Sequence, residues 1–280
     1  MADVAAVRPA EGAIRSWVAL YRSVIRNSMM NSLQYRANTL VDTVLMAAEP
    51  VVYLMVWQIV AREQGGEVDG FTPGRFAAYY VTWALVRTFT QTGNPQNWER
   101  AIQEGRMSGL LMRPIHPVHQ DLGLWLGFGT VRAAMWIPVG AVLFVAFRPD
   151  YDTNVLQVAV FAVAVAMAMV IRSLMMALVG FAAFWVTKVS AIASFVSAVE
   201  LLTSGRLVPL ALMPGWAQDI SWALPFRWAF SFPIEALIGP ISTAEMVRGL
   251  AMQAGWLAGI CVLLRLVWSR GVRRYSAVGG

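Results

Sequence analysis

The chain reads as long apolar runs separated by short polar breaks. The runs cover about 39–61, 76–93, 121–147, 155–183, 189–204 and 244–268. Four of them exceed the roughly 20 residues that carry a helix across a bilayer. The second holds Arg87 and ends in the polar stretch Thr90 to Asn97, and the fifth holds Glu200 and is short. The pattern predicts an all-α polytopic membrane protein of six spans. Upstream, Ile14, Trp17, Val18, Tyr21 and Ile25 recur at helical spacing with Arg15, Arg22 and Arg26 along their flank. That spacing predicts an amphipathic helix over Ile14–Met29. It would lie in the membrane interface or pack on a partner. No cleavable signal pattern precedes it. The chain divides into a cytoplasmic tail, 1–38, and a transmembrane domain, 39–280.

Two of the breaks are unusual. Residues 98–113 are polar and helical in pattern, with Ile102, Met107, Leu110 and Leu111 on a partial apolar face and Pro114 as a stop. Residues 205–240 are apolar but carry Pro209, Pro214, Pro225, Pro233 and Pro240. Prolines at that density exclude one continuous helix. Irregular backbone cannot face lipid. Short re-entrant or interfacial helices packed on the spans are the remaining option. Trp216, Trp222, Phe226, Trp228, Phe230 and Phe232 in this region read as an interfacial belt or as a gate.

Composition sharpens the class. Of 280 residues 58% are hydrophobic and 14% charged, against roughly 25% charged in a soluble domain. Mean hydropathy is +0.57. A soluble enzyme, a disordered tail and a disulfide scaffold are all excluded. The one cysteine, Cys261, lies in an apolar run and reads as a small hydrophobe. The +6 net charge sits beside apolar runs, so anionic lipid headgroups are its partner and nucleic acid is not. Arginines crowd the N-terminal tail (Arg8, Arg15, Arg22, Arg26, Arg36), the second break (Arg100, Arg106, Arg113) and the C-terminal tail (Arg270, Arg273, Arg274). That bias places both ends in the cytoplasm. Lys188 is the sole lysine. The arginine skew points to a GC-rich bacterium, hence to the plasma (inner) membrane.

Catalytic signatures are missing from the sequence. There is no G-x-x-x-x-G-K-[ST], no G-x-S-x-G and no H-E-x-x-H. His116 and His119 bracket Pro117 without a cysteine or carboxylate at ligand spacing, so no metal site is expected. The remaining polar signal is the set of ionisable residues inside apolar runs: Asp42, Glu49, Arg87, Arg132, Arg172 and Glu200. Each costs on the order of 2.5–3.5 kcal/mol unless paired or wet. Glu49, Arg132, Arg172 and Glu200 are candidates for a substrate path or for interhelical pairing, with Glu49–Arg132 and Glu49–Arg172 matched in depth.

Three motifs carry a resemblance. Glu104-Gly105-Arg106-Met107-Ser108-Gly109-Leu110-Leu111-Met112-Arg113-Pro114 follows the second span. Ser204-Gly205-Arg206-Leu207-Val208-Pro209-Leu210 ends the fifth. Arg274-Tyr275-Ser276-Ala277-Val278-Gly279 closes the chain. These resemble the six-span permeases of the type-2 exporter class of ABC transporters, in the subfamily with an E-G-x-x-x-x-L-L-x-R-P loop and an R-Y-x-x-x-G tail. The resemblance implies a coupling helix at 98–113 and ATPase-contacting residues Glu99, Glu104, Gly105, Arg106 and Arg113. It also implies an outer gate from the re-entrant region, with Arg206, Pro209, Trp216 and Phe226. Two copies of a separate ATPase subunit would bind ATP and Mg, leaving this chain without a cofactor. A second permease, identical or related, would complete the path for an amphipathic substrate. Arg206 departs from the family pattern, where an apolar residue is usual.

The competing function is a stand-alone secondary carrier or channel that uses the intramembrane glutamates and arginines as a relay. A non-transporting membrane scaffold is a third possibility. An apolar, tryptophan-rich interior fits drugs, lipids or hydrophobic peptides better than sugars or small ions.

Overall fold

The computed structural model describes residues 9–113 and 115–275. Arg8, Pro114 and the tail from Ser276 to Gly280 lie outside the described residues, as do the side chains of Ile14 and Arg15. The described residues are helical, with no strands. Twelve helices follow in order: α1 (Pro9–Gln34), α2 (Arg36–Glu63), α3 (Pro73–Thr90), α4 (Pro95–Gln103), α5 (Met107–Leu111), α6 (Pro117–Phe147), α7 (Val155–Phe181), α8 (Ser190–Thr203), α9 (Gly215–Trp222), α10 (Pro225–Ala229), α11 (Ser231–Ile238) and α12 (Thr243–Arg274). Four of them, α2, α6, α7 with its short 3₁₀ extension to Phe184, and α12, are long and apolar enough to cross a membrane.

The weak hydropathy of α3 has a structural cause. This helix is the centre of the bundle, packed on α2, α6, α7 and α11. Phe76, Tyr80 and Trp83 are fully buried, and Thr82, Thr88 and Thr90 are buried with them. A helix surrounded by protein needs no lipid-compatible face, so it can carry threonines whose hydroxyls bond within the bundle. Thr88 and Thr90 donate to the carbonyls of Ala84 and Val86 at 2.9 Å. Thr72 caps the helix and Pro73 occupies its first turn.

Local signals set most helix starts. Asn154 with Gln157 and Ser242 with Glu245 form capping boxes for α7 and α12. In the proline-rich region, Pro225 opens α10, and Pro214 immediately precedes α9. The result is three short helices, α9 to α11, with α10 and α11 packed on α7. The buried amide of Gln253 stitches this layer together, donating to Ala164 O at 3.0 Å and Trp228 O at 2.8 Å.

Two expectations are corrected. The 98–113 segment is not one helix: it breaks at Glu104–Arg106 between α4 and α5, where Gly105 takes φ +76°. That left-handed conformation suits glycine and ends a helix. The aromatic belt also dissolves. Of the six, Phe226, Trp228, Phe230 and Phe232 are core residues, Trp222 is half-buried and Trp216 is exposed.

The α1 helix runs from Pro9 to Gln34 and packs along α6. Its contact face is set by small residues. A Cβ on Gly127 would lie 2.6 Å from Ile25 O, and Ser28 donates to Leu124 O at 2.6 Å. Such close approach is how helices associate where apolar burial is no driving force. Val18 stays exposed.

Candidate functional site

Charges from four helices and one turn converge into one chain inside the bundle. Glu49 of α2 pairs with Arg87 of α3, and Glu200 of α8 pairs with Arg172 of α7. Arg206, just past α8, joins the two pairs: it reaches Glu49 at 3.0 Å and Glu200 at 3.5 Å. The order is Arg87–Glu49–Arg206–Glu200–Arg172, three cations alternating with two anions. Aromatic faces flank it. Arg87 and Arg206 lie 5.4 and 5.5 Å from the Trp83 ring, and Arg172 lies 4.4 Å from Phe230. Arg172 also donates to Thr90 O at 3.0 Å. Glu200 is almost fully buried. Charges held this way in a low-dielectric interior are tolerable because each has a partner.

The turn that delivers Arg206 is clamped from below. Tyr79 donates to Gly205 O at 2.9 Å; Tyr80 and Trp57 donate to Leu207 O at 2.9 and 3.1 Å. Gly205 has φ +81°, and a Cβ there would meet Tyr79 Oη at 2.6 Å. Only glycine fits both demands.

At the other end of the bundle, the α4–α5 elbow presents an exposed charged tip. Glu104 pairs with Arg106 at 2.8 Å, and both are more than half exposed. Arg113 is exposed and donates to Gln120 at 2.8 Å. Beneath the tip the elbow is anchored. Trp98 packs on Phe181 and against Gly180, where a Cβ would lie 2.6 Å away. Glu99 accepts from Val189 N at 2.7 Å, capping the start of α8. Ser108 bonds the Tyr275 hydroxyl at 3.0 Å. His116 accepts from Val118 N at the start of α6 and lies 4.3 Å from Trp268. Burial, with a smaller push from His119, lowers the His116 imidazole from 6.5 to about 4.

The model of the ABC-2 family transporter proteins matches residues 47–279, a stretch that contains both the ion chain and the elbow. The chain belongs to the ABC-2 transporter family. It is a multi-pass membrane protein of a family whose members are membrane transport components that normally work with an ATPase subunit. No curated protein matches the chain.

Within this ABC-2 family fold the expected site residues separate. Glu49, Arg172 and Glu200 come together, but the partners differ from the depth-matched ones. Glu49 binds Arg87 and Arg206, and Arg172 binds Glu200. Arg132 stands apart, its guanidinium 5.9 Å from the Phe128 ring. The four outer-gate residues do not form one constellation. Arg206 enters the ion chain, Pro209 lies in a cavity wall, Phe226 is core and Trp216 is exposed. Glu104, Gly105, Arg106 and Arg113 cluster on the elbow, whereas Glu99 points inward to cap α8. Arg87 was not among the expected site residues, and neither was the clamp of Trp57, Tyr79 and Tyr80. Only an arginine in an otherwise apolar span marked the first, and nothing in hydropathy marked the clamp.

Proposed function

We propose that this chain is the membrane subunit of an ATP-driven exporter, inserted in a bacterial plasma membrane with both ends cytoplasmic. The six spans are α2, α3, α6, α7, α8 and α12, and α9 to α11 form a re-entrant cap at the outer end. Two ATPase subunits, holding ATP and Mg, dock on the elbow, and this chain contributes no catalysis of its own. One observation carries the reading: an exposed charged elbow is hydrogen-bonded, through Glu99, to the start of the span that bears Glu200. Movement imposed on the elbow has a direct route to the intramembrane ion chain. The apolar faces of α2 (Leu45, Val52, Val56, Ile59) and α8 (Phe195, Leu202) are exposed. A second permease, identical or related, covers them and completes the path for an amphipathic substrate. A stand-alone relay is a poorer fit, because both carboxylates already hold two guanidiniums each.

The test is co-purification from membranes with the full chain as bait, assaying ATP hydrolysis in the eluate. Wild type should bring down a P-loop ATPase, and Glu104→Arg should lose it. Wild type without any ATPase would end the exporter reading and leave the carrier to be tested by transport driven by an ion gradient.

A further inference from the structure

We propose that the cavity beside Arg227, at the outer end of the bundle, binds an amphipathic anion: a phosphate-type head on an apolar body. The cavity measures about 320 Å³ and lies between the start of α3, the Pro209–Ala211 turn and the residues after α11. Its volume is at the low end of ligand pockets, which run from roughly 300 to 1,000 Å³. It therefore holds a head and the first part of a chain, not a whole lipid.

The walls are divided by chemistry. Phe71, Tyr79, Leu210 and Ile238 are the apolar side; Arg75, Arg227 and Glu235 are the charged groups. Two guanidiniums against one carboxylate leave one positive charge. The carboxylate is already engaged, since Ser231 donates to it at 2.7 Å and Arg227 at 3.3 Å. The guanidiniums are only partly used, Arg227 on Glu235 and Arg75 on a backbone carbonyl. Arg227 Nε is buried with no hydrogen-bond partner among the described residues. Arg75 spends one N–H on Gly70 O at 3.1 Å and otherwise rests on Phe71. The site holds one net positive charge and unpaired guanidinium donors, beside the Gln218 amide and the engaged Glu235 carboxylate. An anion with several acceptor oxygens matches those donors, because the fixed fork of a guanidinium suits such groups. Leu210 follows the same clamped turn that carries Arg206 into the ion chain, so an occupant presses on that turn.

The occupant has two sources with one chemistry: an outer-leaflet phospholipid head, or a transported anionic amphipath on its way out. The outer-leaflet placement and the transported source rest on the function proposed above; the anion site itself does not. The experiment is native mass spectrometry of the full chain in neutral detergent. The probes are dihexanoylphosphatidylglycerol, dihexanoylphosphatidylcholine, decyl phosphate and inorganic phosphate. Wild type should hold an anionic amphipath roughly tenfold more tightly than the phosphatidylcholine or inorganic phosphate. Arg75→Gln should lose about that factor and Arg75→Lys should keep most of it. Preference for phosphatidylglycerol over decyl phosphate identifies a lipid head as the source; parity identifies transported amphipaths. Equal binding of phosphatidylcholine, equal binding of inorganic phosphate, or an Arg75→Gln protein that binds as wild type overturns the site. No ATPase is present in this assay. A failed pull-down therefore leaves the cavity site standing, and failed binding here leaves the elbow standing.

Discussion

Arg206 bridges two ion pairs, and the ion chain shows why an apolar residue in its place would also fold. Without Arg206 two matched pairs remain, Arg87–Glu49 and Arg172–Glu200. Without a charge on Glu200, two guanidiniums lose a carboxylate in a buried setting. Neutralising Glu200 should therefore be the more damaging change. Glu200→Gln is expected to lower stability by about 3 kcal/mol, the scale for breaking a buried ion pair. Arg206→Leu should cost roughly 1 kcal/mol or less, because it leaves no buried charge without a partner. Thermal unfolding of both variants in detergent checks the order, and equal shifts would refute it. At this scale the sequence was half legible. Glu49 and Glu200 stand out as charges in apolar runs. Their partners do not, because pairing depends on how four elements meet; Arg206 and Glu49 are 157 positions apart. Depth along a span, the one guide available from sequence, matched Glu49 to the wrong arginines.

Helices were legible where a local rule fixes them. The six apolar runs all reappear as helices, α2, α3, α6, α7, α8 and α12. What escaped was set by tertiary surroundings. The low hydropathy of α3 follows from burial on all sides, and the elbow breaks because Gly105 takes a left-handed turn inside an otherwise helical pattern. His116 belongs to this scale, since it joins the start of α6 to α7 and α12 through Phe181 and Trp268. In the folded state it takes up a proton at about pH 4, against 6.5 for the free side chain. Between those values the unfolded chain binds more protons, so stability falls as pH drops through that window. His116→Asn retains a capping side chain and should flatten the melting temperature between pH 6.5 and 4. The same pH slope in variant and wild type would show that another group is responsible.

At the scale of the whole molecule, α8 joins the elbow to the ion chain. Its first turn is capped by Glu99 from the elbow, and Glu200 sits near its far end. Glu99→Ala should leave ATPase docking intact, because the exposed tip is untouched. It should weaken the link by about 1 kcal/mol, the worth of a helix cap, and cut transport per ATP hydrolysed by roughly fivefold. Transport and hydrolysis measured together in proteoliposomes check this, and an unchanged ratio would show that the link carries no motion. The brevity of α8 has a separate consequence. Its 14 residues give a rod about 21 Å long, against a hydrocarbon core of about 30 Å. A span that is too short draws the two headgroup layers towards each other. In the proposed assembly, where a second permease covers Phe195 and Leu202, the path along α8 would be shorter than the surrounding hydrocarbon is thick. A substrate taking that proposed path would have less oil to cross than one entering the bilayer elsewhere.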